Sequence, residues 1–487
     1  MTGCDSRRNA ERFSLKKMRL TFRSIWRGGA VLLGALLMAW PALYNGYPLI
    51  YPDSLSYIES GRPVARALFL HNFSDYYGGR SFIYSLVVLP FHWNITLWPI
   101  VALQAMLTAY VIWLVVRSLL PRQTVTHYLF LVVPLTLFTG LGWVVGLIMP
   151  DILGPALYLS IYLLVFAPET LSHAERMTVV PIACWAAASH VTHMILAAGM
   201  CILLASLLVF RRHSTRLRWR AVGGVAIVVL TAAAAQYALH AYLYGKPSLT
   251  GDRPPFLTAR IIADGPGRWY LERNCPNVKL AMCNYVHRLP ASTDDFLWDA
   301  NGIWQSASQE TQELLLQQET PFVLATLRAY PREQLSVSFR NFWRQLTKFG
   351  VVNRPSTWFF EDFENALPGT RWRYLQSRQA QQTLPDKFFT SLQVWTVIAS
   401  IVSLGVLVPL VRRHLPHRLA GLTAVIFFAV VANAFVTGVL SEVDDRYQVR
   451  VIWLLPLLAG AFVLKWSDHR RSGCEDAAAD VPSANRV

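Results

Sequence analysis

The feature that most constrains this chain is a series of apolar runs, several of them about 20 residues long, which as α-helices would cross the hydrocarbon core of a bilayer. Hydrophobic residues make up 54% of the 487 residues and charged residues only 15%, whereas a soluble domain carries about 25% charged residues. This composition excludes a cytosolic or secreted enzyme, a disordered protein and a small disulfide-stapled domain. The chain is therefore predicted to be an all-α integral membrane bundle.

Ten apolar runs are predicted to span the membrane, although one of them, at 177–190, is short for a span. An even number of spans puts both termini on the same side of the membrane. The predicted spans are 28–46, 95–116, 127–148, 151–167, 177–190, 193–210, 221–243, 388–411, 419–440 and 451–466.

The short loops rich in Lys and Arg all fall on one side of this arrangement. They are 211–220 and 412–418, together with the start of the chain and its tail. The positive-inside rule makes this side cytoplasmic. The net charge of +16 is then an orientation signal and an attraction to anionic lipid headgroups, so nucleic acid is not needed as a partner. We expect a bacterial inner-membrane protein with both termini in the cytoplasm.

The spans divide the chain into five regions. The range 244–387, called the outer domain below, is long enough for an independent domain and is predicted to be periplasmic and mainly helical, with one helix around 309–330. The other regions are a basic amphipathic cytoplasmic segment at 1–27, an N-terminal transmembrane module at 28–243 that includes a first periplasmic loop at 47–94, the last transmembrane helices at 388–466, and a cytoplasmic tail at 467–487.

Two of the six cysteines, Cys275 and Cys283, lie in the outer domain. A local disulfide between them is predicted, because a periplasmic compartment is oxidising. The alternative is a pair of unpaired loop thiols.

Two carboxylates at predicted outer helix ends are candidate catalytic residues. Asp53 follows the first span in YPDSLSYIESGR, and Asp151 follows the third span in GLIMPDILG. A carboxylate at the edge of hydrocarbon is unfavourable unless it is paired, binds a cation or faces water. The structural alternative for each is a helix N-cap, which Asp favours.

Three arginines are candidates for binding a phosphate, since a guanidinium can bind two phosphate oxygens at once. Arg80 follows two glycines in YYGGRSF, while Arg446 and Arg450 lie in SEVDDRYQVR before the final span. The alternatives are an arginine that reaches to the interface and, for Arg446, an ion pair with a neighbouring acidic residue.

His190 and His193, in ASHVTHMIL, could bind phosphate or a metal, or form a structural pair at i, i+3 spacing. The motifs of soluble enzymes are absent from the sequence: there is no P-loop, dinucleotide fingerprint, GxSxG elbow, HExxH motif or thiol metal cluster.

Taken together, these segments resemble the GT-C superfamily of integral membrane glycosyltransferases, which use polyprenyl-phosphate sugar donors. The resemblance rests on four elements: PDSLSY opening the first loop, GGRSFIYSLVVLP before the second span, the PD pair ending in Asp151, and DDRYQVRVIWLLPLL leading into the last span. It covers most of the first 250 residues and the last 100.

The resemblance implies a role for each candidate residue. Asp53 would be the catalytic base, Asp151 a supporting carboxylate, and Arg80 and Arg446 contacts to the donor phosphate. The expected partners are a polyprenyl-phosphate sugar donor, the lipid bilayer and an unidentified glycan, lipid or protein acceptor. Many members carry a paired acidic dipeptide where this chain has Asp53 alone, so dependence on Mg²⁺ or Mn²⁺ stays open.

Two other functions fit parts of the pattern. A lipid-linked glycan ligase or polymerase would make His287 and Arg288 of the outer domain central. A transporter or assembly subunit would usually show internal repeats and polar groups at mid-membrane, whereas the predicted spans are polar mainly at their outer ends.

Overall fold

The computed structural model describes residues 26–73, 81–210, 218–251, 253–275, 277–351, 360–411 and 415–479, with the backbone only for 360–362, 411 and 469–479. Arg80 and nearly all of the predicted amphipathic segment 1–27 lie outside these ranges. The described residues are helical and form no strand beyond an isolated bridge between Leu49 and Leu147. The prediction of an all-α fold is therefore confirmed.

Twenty-three α-helices follow one another along the described residues, with short 3₁₀ turns at Pro150–Ile152, Pro168–Thr170 and Ala281–Arg288. The first eleven are α1 Trp26–Met38, α2 Trp40–Asn45, α3 Pro52–Leu70, α4 Phe82–His92, α5 Trp98–Leu119, α6 Thr124–Phe138, α7 Leu141–Gly146, α8 Leu153–Phe166, α9 His173–Ala188, α10 Val191–Phe210 and α11 Trp219–Tyr244. The others are α12 Phe256–Asp264, α13 Pro266–Asn274, α14 Thr293–Leu297, α15 Ile303–Ser306, α16 Gln309–Ala329, α17 Pro331–Thr347, α18 Phe360–Ala366, α19 Arg371–Leu375, α20 Asp386–Val411, α21 His417–Leu440, α22 Asp445–Ile452 and α23 Leu454–Ala479.

Six helical stretches in the described residues are long and apolar enough to cross a membrane, which indicates a multi-pass α-helical membrane protein. They are Trp98–Leu119, Val191–Phe210, Trp219–Tyr244, Asp386–Leu410, His417–Leu440 and Asp445–Asp468. Three of the other predicted spans, 28–46, 127–148 and 151–167, coincide with shorter apolar helices. The run at 177–190 coincides with α9. The total of ten spans stays a prediction.

The predicted span at 127–148 is not one continuous helix, because it breaks between α6 and α7 at Gly140. A Cβ atom on Gly140 would collide with Val449 of α22 and with the side-chain oxygen of Gln393. That oxygen also accepts a hydrogen bond from the Gly140 amide. The close approach of α20 and α22 explains why glycine stands at this position. After α7 the chain is extended and enters the buried turn at Pro150–Ile152.

The centre of the bundle is α8, whose side chains are buried along nearly all of its length. It packs against α5, α9 and α21. In contrast, α10, α11 and α20 each expose large apolar side chains on one face. A helix that is apolar all round belongs in the interior, and an apolar exposed face in a membrane protein faces lipid.

The range predicted as one outer domain contains two parts. Side chains of α12 to α16 form a hydrophobic core of their own, which includes Ile262, Phe296 and Phe322. The predicted Cys275–Cys283 disulfide is present beside this core, and the helix predicted at 309–330 is present as α16. Residues of α18 and α19 instead join the core of the transmembrane bundle.

Candidate functional site

Four charged side chains from distant parts of the chain meet in one cluster. Arg446 donates a hydrogen bond to Asp53, with 2.9 Å between Nη1 and Oδ2. The same guanidinium lies 3.3 Å from Asp151, and the Arg450 Nη1 atom lies 3.3 Å from the other oxygen of Asp151. We call Asp53, Asp151, Arg446 and Arg450 the charge cluster.

Asp53 is held in the first turn of α3. Tyr51 is the N-cap residue of this helix, and its amide donates to Ser54 Oγ at 2.9 Å. Asp53 is therefore not the N-cap, which removes the structural alternative from the sequence analysis. The first turn still favours a carboxylate, because the helix dipole is positive there. Ile50 precedes the N-cap residue Tyr51. Both of its backbone polar atoms are bonded to the side-chain amide of Gln379.

Asp151 lies in the 3₁₀ turn at Pro150–Ile152, between α7 and α8. Its side chain is only 2% exposed, so this turn lies inside the bundle. The N-cap positions of the turn and of α8 are Met149 and Ile152, so Asp151 is not an N-cap. Its carboxylate instead accepts hydrogen bonds from the guanidinium groups of Arg446 and Arg450.

The two arginines project from successive turns of α22. The carboxylate of Asp444, the N-cap residue, accepts a hydrogen bond from the Arg446 amide at 2.9 Å. The Nη2 atom of Arg450 donates to Asn433 Oδ1 at 2.8 Å. The Arg446 guanidinium also lies over the ring of Tyr51, 4.5 Å from its centre, which is a cation–π contact. Both arginines are fixed on several sides before any ligand binds.

The charge cluster has as many negative as positive side chains, and these side chains differ in how deeply they are buried. Two carboxylates face two guanidiniums, as buried charges require, because an unpaired ion would be strongly destabilising there. The side chains of Arg446 and Arg450 are 5% and 1% exposed, whereas that of Asp53 is 17% exposed. A ligand that approaches the cluster therefore meets Asp53 first.

Comparison with known proteins finds no matching family model, no matching curated protein and no matching solved structure.

His193 lies beside the charge cluster but is held by the bundle. Its Nδ1 atom is 3.0 Å from the carbonyl oxygen of Ala186, and its ring packs against Gly154, close after Asp151. His190 lies 5.4 Å away between ring centres and accepts a hydrogen bond from the amide of Thr192. These contacts hold the two rings near each other within the bundle, and both the phosphate role and the structural alternative stay predictions.

The residues that a glycan ligase would use are bonded locally. Arg288 donates to Ser306 at 3.0 Å and lies over the ring of Tyr285, and both it and His287 are exposed. They belong to the part of the outer domain that has its own core, not to the charge cluster.

The geometry of the cluster does not favour a divalent cation between the two carboxylates. The Arg446 guanidinium bonds to both Asp53 and Asp151 and so takes the position between them. In the described part of the chain, no group of three or more His, Cys, Asp or Glu side chains could hold a metal ion.

A cavity of about 380 Å³ opens beside the segment that leads to Asp53. Its lining includes Tyr47, Trp98, Thr370, Trp372 and Arg373. Burial raises the pKa of Tyr47 to about 12, so its hydroxyl stays protonated at neutral pH. Aromatic faces with a few polar groups are typical of small-molecule sites.

Sequence reasoning did not identify Asn433, which orients Arg450, or Gln379, which holds Ile50. Asn433 had a signal, because it is a polar residue inside an apolar run and such residues are commonly functional or paired. Gln379 had none, because it lies in a polar stretch 329 positions from its partner.

Proposed function

We propose that this chain is a membrane glycosyltransferase that moves a sugar from a polyprenyl-phosphate donor to an acceptor at the non-cytoplasmic face. The observation that carries this proposal is the pairing of a partly exposed carboxylate, Asp53, with a guanidinium, Arg446, that Asp151 already holds in place. A candidate base in the first turn of α3 and a candidate phosphate-binding cation in the first turn of α22 thus lie side by side, next to the predicted spans 28–46 and 451–466. A lipid-linked phosphate sugar would present its reacting bond at this depth.

Arg446 suits the role of holding the donor phosphate. Its planar group can bind two phosphate oxygens, and its contacts to Asp151 and Tyr51 hold it in position before the donor arrives. A preorganised cation stabilises the negative charge that grows on the leaving phosphate, and it does so strongly in a site that excludes water. Arg450 supports the arrangement by binding the second oxygen of Asp151.

Donor binding would change the state of Asp53. In the present arrangement the Arg446 Nη1 atom donates to the Asp53 carboxylate, which makes that carboxylate a weaker base. When the phosphate of the sugar donor accepts the hydrogen bond from Nη1 instead, Asp53 loses this contact and becomes a stronger base. Asp53 would then become an effective base only after the sugar donor has bound, so the donor would not react before it is in position.

The reaction itself needs one base and one stabilised leaving group. Asp53 takes the proton of an acceptor hydroxyl as its oxygen bonds to the anomeric carbon, on the face opposite the phosphate. The bond between that carbon and the phosphate oxygen breaks, and the polyprenyl phosphate leaves with its charge paired to Arg446. Configuration at the anomeric carbon is inverted. General-base help of this kind contributes typically about 10² to 10⁴ in rate.

The acceptor would bind in the cavity beside Tyr47. Its aromatic lining, with Trp98 and Trp372, suits the apolar faces of sugar rings, and Thr370 and Arg373 add polar groups. The cavity and Asp53 flank the same short segment, 46–51, which Gln379 holds at Ile50. An acceptor hydroxyl could therefore reach from the cavity toward Asp53.

The test uses the full-length protein in lipid nanodiscs with short polyprenyl phosphates that carry different radiolabelled sugars, offered one at a time. Release of the sugar to water, or transfer to lipid and glycan extracts, is counted for wild type, Asp53→Asn and Asp53→Glu. We expect the Asn variant to lose about 10² or more in rate and the Glu variant to keep part of it. Full activity in Asp53→Asn would remove the proposed mechanism.

Binding of unmodified polyprenyl phosphate gives a second readout that needs no knowledge of the sugar. Asp53→Asn should bind it at least as well as wild type. In this variant the Arg446 guanidinium no longer has to break an ion pair with residue 53 before it binds the phosphate. Absence of binding to wild type, or a marked loss in Asp53→Asn, contradicts the proposed roles of the two residues.

A further inference from the structure

The helix α17, Pro331–Thr347, buries polar residues on one side and exposes large apolar residues on a neighbouring side. Gln334, Asn341 and Gln345 are buried, whereas Leu335, Phe339 and Trp343 are 70%, 65% and 58% exposed. An amphipathic helix on a water-soluble domain shows the opposite arrangement, with its apolar side toward the core. The exposed apolar side of α17 is therefore a surface that lipid or a partner could cover.

The buried polar side of α17 is bonded to two other segments of the chain. Asn341 and Gln334 donate to the two carboxylate oxygens of Asp264, at 2.8 and 2.9 Å. Gln345 donates to the carbonyl oxygen of Asp444 at 2.8 Å and accepts from the Asp444 amide at 2.9 Å. These bonds, spread over about three turns, fix how the helix is rotated about its axis, so its apolar side cannot turn inward.

The apolar side forms a continuous stripe. Leu335, Phe339 and Trp343 follow at intervals of four residues, which places them on one side of a helix. A patch of this size on a soluble surface marks an interaction site or a membrane contact. The remaining exposed side of the helix is polar and carries Arg340 and Arg344.

The position of α17 indicates which partner covers the stripe. The helix packs along the C-terminal part of α21, His417–Leu440, a helix long and apolar enough to span the membrane. A Cβ atom on Gly438 of α21 would come within 2.8 Å of Gln345 Cβ, and the rings of Phe342 and Phe435 are in contact. Phe435 is itself exposed, so the stripe continues the exposed apolar surface of a membrane-spanning helix.

We propose that α17 is an interfacial membrane helix whose stripe of Leu335, Phe339 and Trp343 is covered by lipid acyl chains. Arg340 and Arg344 then lie at the level of the phosphate headgroups, as basic residues do in helices of this kind. The outer domain would thus be attached to the bilayer surface as well as to the spans. This proposal does not depend on the proposed glycosyltransferase function.

The same helix connects the bilayer surface to the charge cluster. Gln345 holds both backbone polar atoms of Asp444, and Asp444 is the N-cap of α22, the helix that carries Arg446 and Arg450. Lipid contact along α17 would therefore help to position the two arginines.

The experiment measures the surroundings of single nitroxide labels in the full-length protein. Cys4, Cys184, Cys201 and Cys474 are first replaced by Ser or Ala, which leaves only the Cys275–Cys283 disulfide. Labels are then attached in Leu335→Cys and Phe339→Cys, with Arg340→Cys and Arg344→Cys as matched controls on the exposed polar side. Each protein is placed in nanodiscs of phosphatidylethanolamine and phosphatidylglycerol. Collision rates with oxygen, which concentrates in lipid, and with a water-soluble nickel chelate are compared.

We expect the ratio of oxygen to nickel collisions to be several-fold higher at 335 and 339 than at 340 and 344. Ratios at 335 and 339 as low as that of a label in water would show that water covers the stripe and would overturn the proposal. Low collision rates with both reagents at 339, together with spin–spin broadening, would show that a second copy covers it and would also overturn the proposal. All four substitutions are at exposed positions. Because each side of the helix carries two labels, the result does not depend on whether any single variant folds.

Discussion

The Nη1 atom of Arg446 lies 2.9 Å from the Oδ2 atom of Asp53, across 393 positions of the chain. This contact joins α3, which follows the first apolar run, to α22, which leads into the last apolar run. It brings a carboxylate and a guanidinium together where Asp151 and Arg450 complete the charge balance. Both the stability of the bundle and its proposed chemistry depend on this group of residues.

The two aspartates should contribute unequally to stability. Asp151→Asn leaves two buried guanidiniums without their shared counter-charge and should destabilise the protein by about 3 to 5 kcal/mol. Asp53→Asn should be milder, roughly 1 to 2 kcal/mol, because Arg446 keeps Asp151 and Asp53 is partly exposed. Thermal unfolding in nanodiscs measures both. Equal shifts in melting temperature would show that burial does not determine how much each aspartate stabilises the protein.

Arg446→Lys should weaken binding of polyprenyl phosphate about tenfold or more, a loss of about 1.4 kcal/mol or greater. An ammonium group keeps the charge but cannot reach two carboxylates and a phosphate with a planar fork of donors. Arg288→Lys is the matched control, since Arg288 is exposed and bonded locally. Binding by flotation with labelled vesicles provides the measurement. If both variants bind like wild type, Arg446 does not hold the phosphate.

The ion pair between Arg117 and Glu175 should make stability depend on pH. Hydrogen bonds from Arg117 at 2.6 and 2.8 Å are the main cause that lowers the pKa of Glu175 from 4.5 to about 2. The folded state therefore holds this proton less tightly than the unfolded state. The resulting stabilisation is complete above about pH 4.5 and is lost as the pH falls toward 2.

Glu175→Gln tests this dependence. The melting temperature of the variant should be lower than that of wild type at neutral pH, and the difference should shrink between pH 4.5 and 2. A difference that stays constant over this range would show that the ion pair does not stabilise the fold.

Glycine is required where α17 meets α21. A Cβ atom on Gly438 would lie 2.8 Å from Gln345 Cβ and 2.9 Å from the carbonyl oxygen of Asn341, so Gly438→Ala should destabilise by about 1 to 3 kcal/mol. Gly405 of α20 has no atom within 4 Å of the same position. Gly405→Ala should be neutral or stabilise by up to about 1 kcal/mol. Similar melting temperatures for the two variants would contradict the close packing.

The Cys275–Cys283 disulfide should stabilise the outer domain by about 2 to 3 kcal/mol, because it closes a loop of 8 residues. The double variant Cys275→Ser, Cys283→Ser should be cleaved faster by protease within the outer domain. Reductant should speed cleavage of wild type but not of the double variant. Cys201→Ala, which removes a free cysteine, serves as the control and should behave like wild type.

Features that depend on composition or on short spacing could be predicted from the sequence. Apolar runs of span length predicted an all-α membrane protein because hydrocarbon admits only backbone that is internally hydrogen-bonded. The Cys275–Cys283 pairing could be predicted because eight residues of chain keep the two thiols close. The candidate residues Asp53, Asp151, Arg446 and Arg450 were identified because charges at the edges of apolar runs are unfavourable without partners.

Which of these charges meet, and which side of a helix meets lipid, was decided by the tertiary structure alone. Local pairing of Arg446 with a neighbouring acid was as consistent with the sequence as its bonds to Asp53 and Asp151. The need for glycine at position 140 follows from the approach of α20 and α22, and the outward apolar side of α17 follows from bonds to Asp264 and Asp444. The periodicity of a helix shows that it has two kinds of surface, but only packing between distant segments determines what each surface contacts.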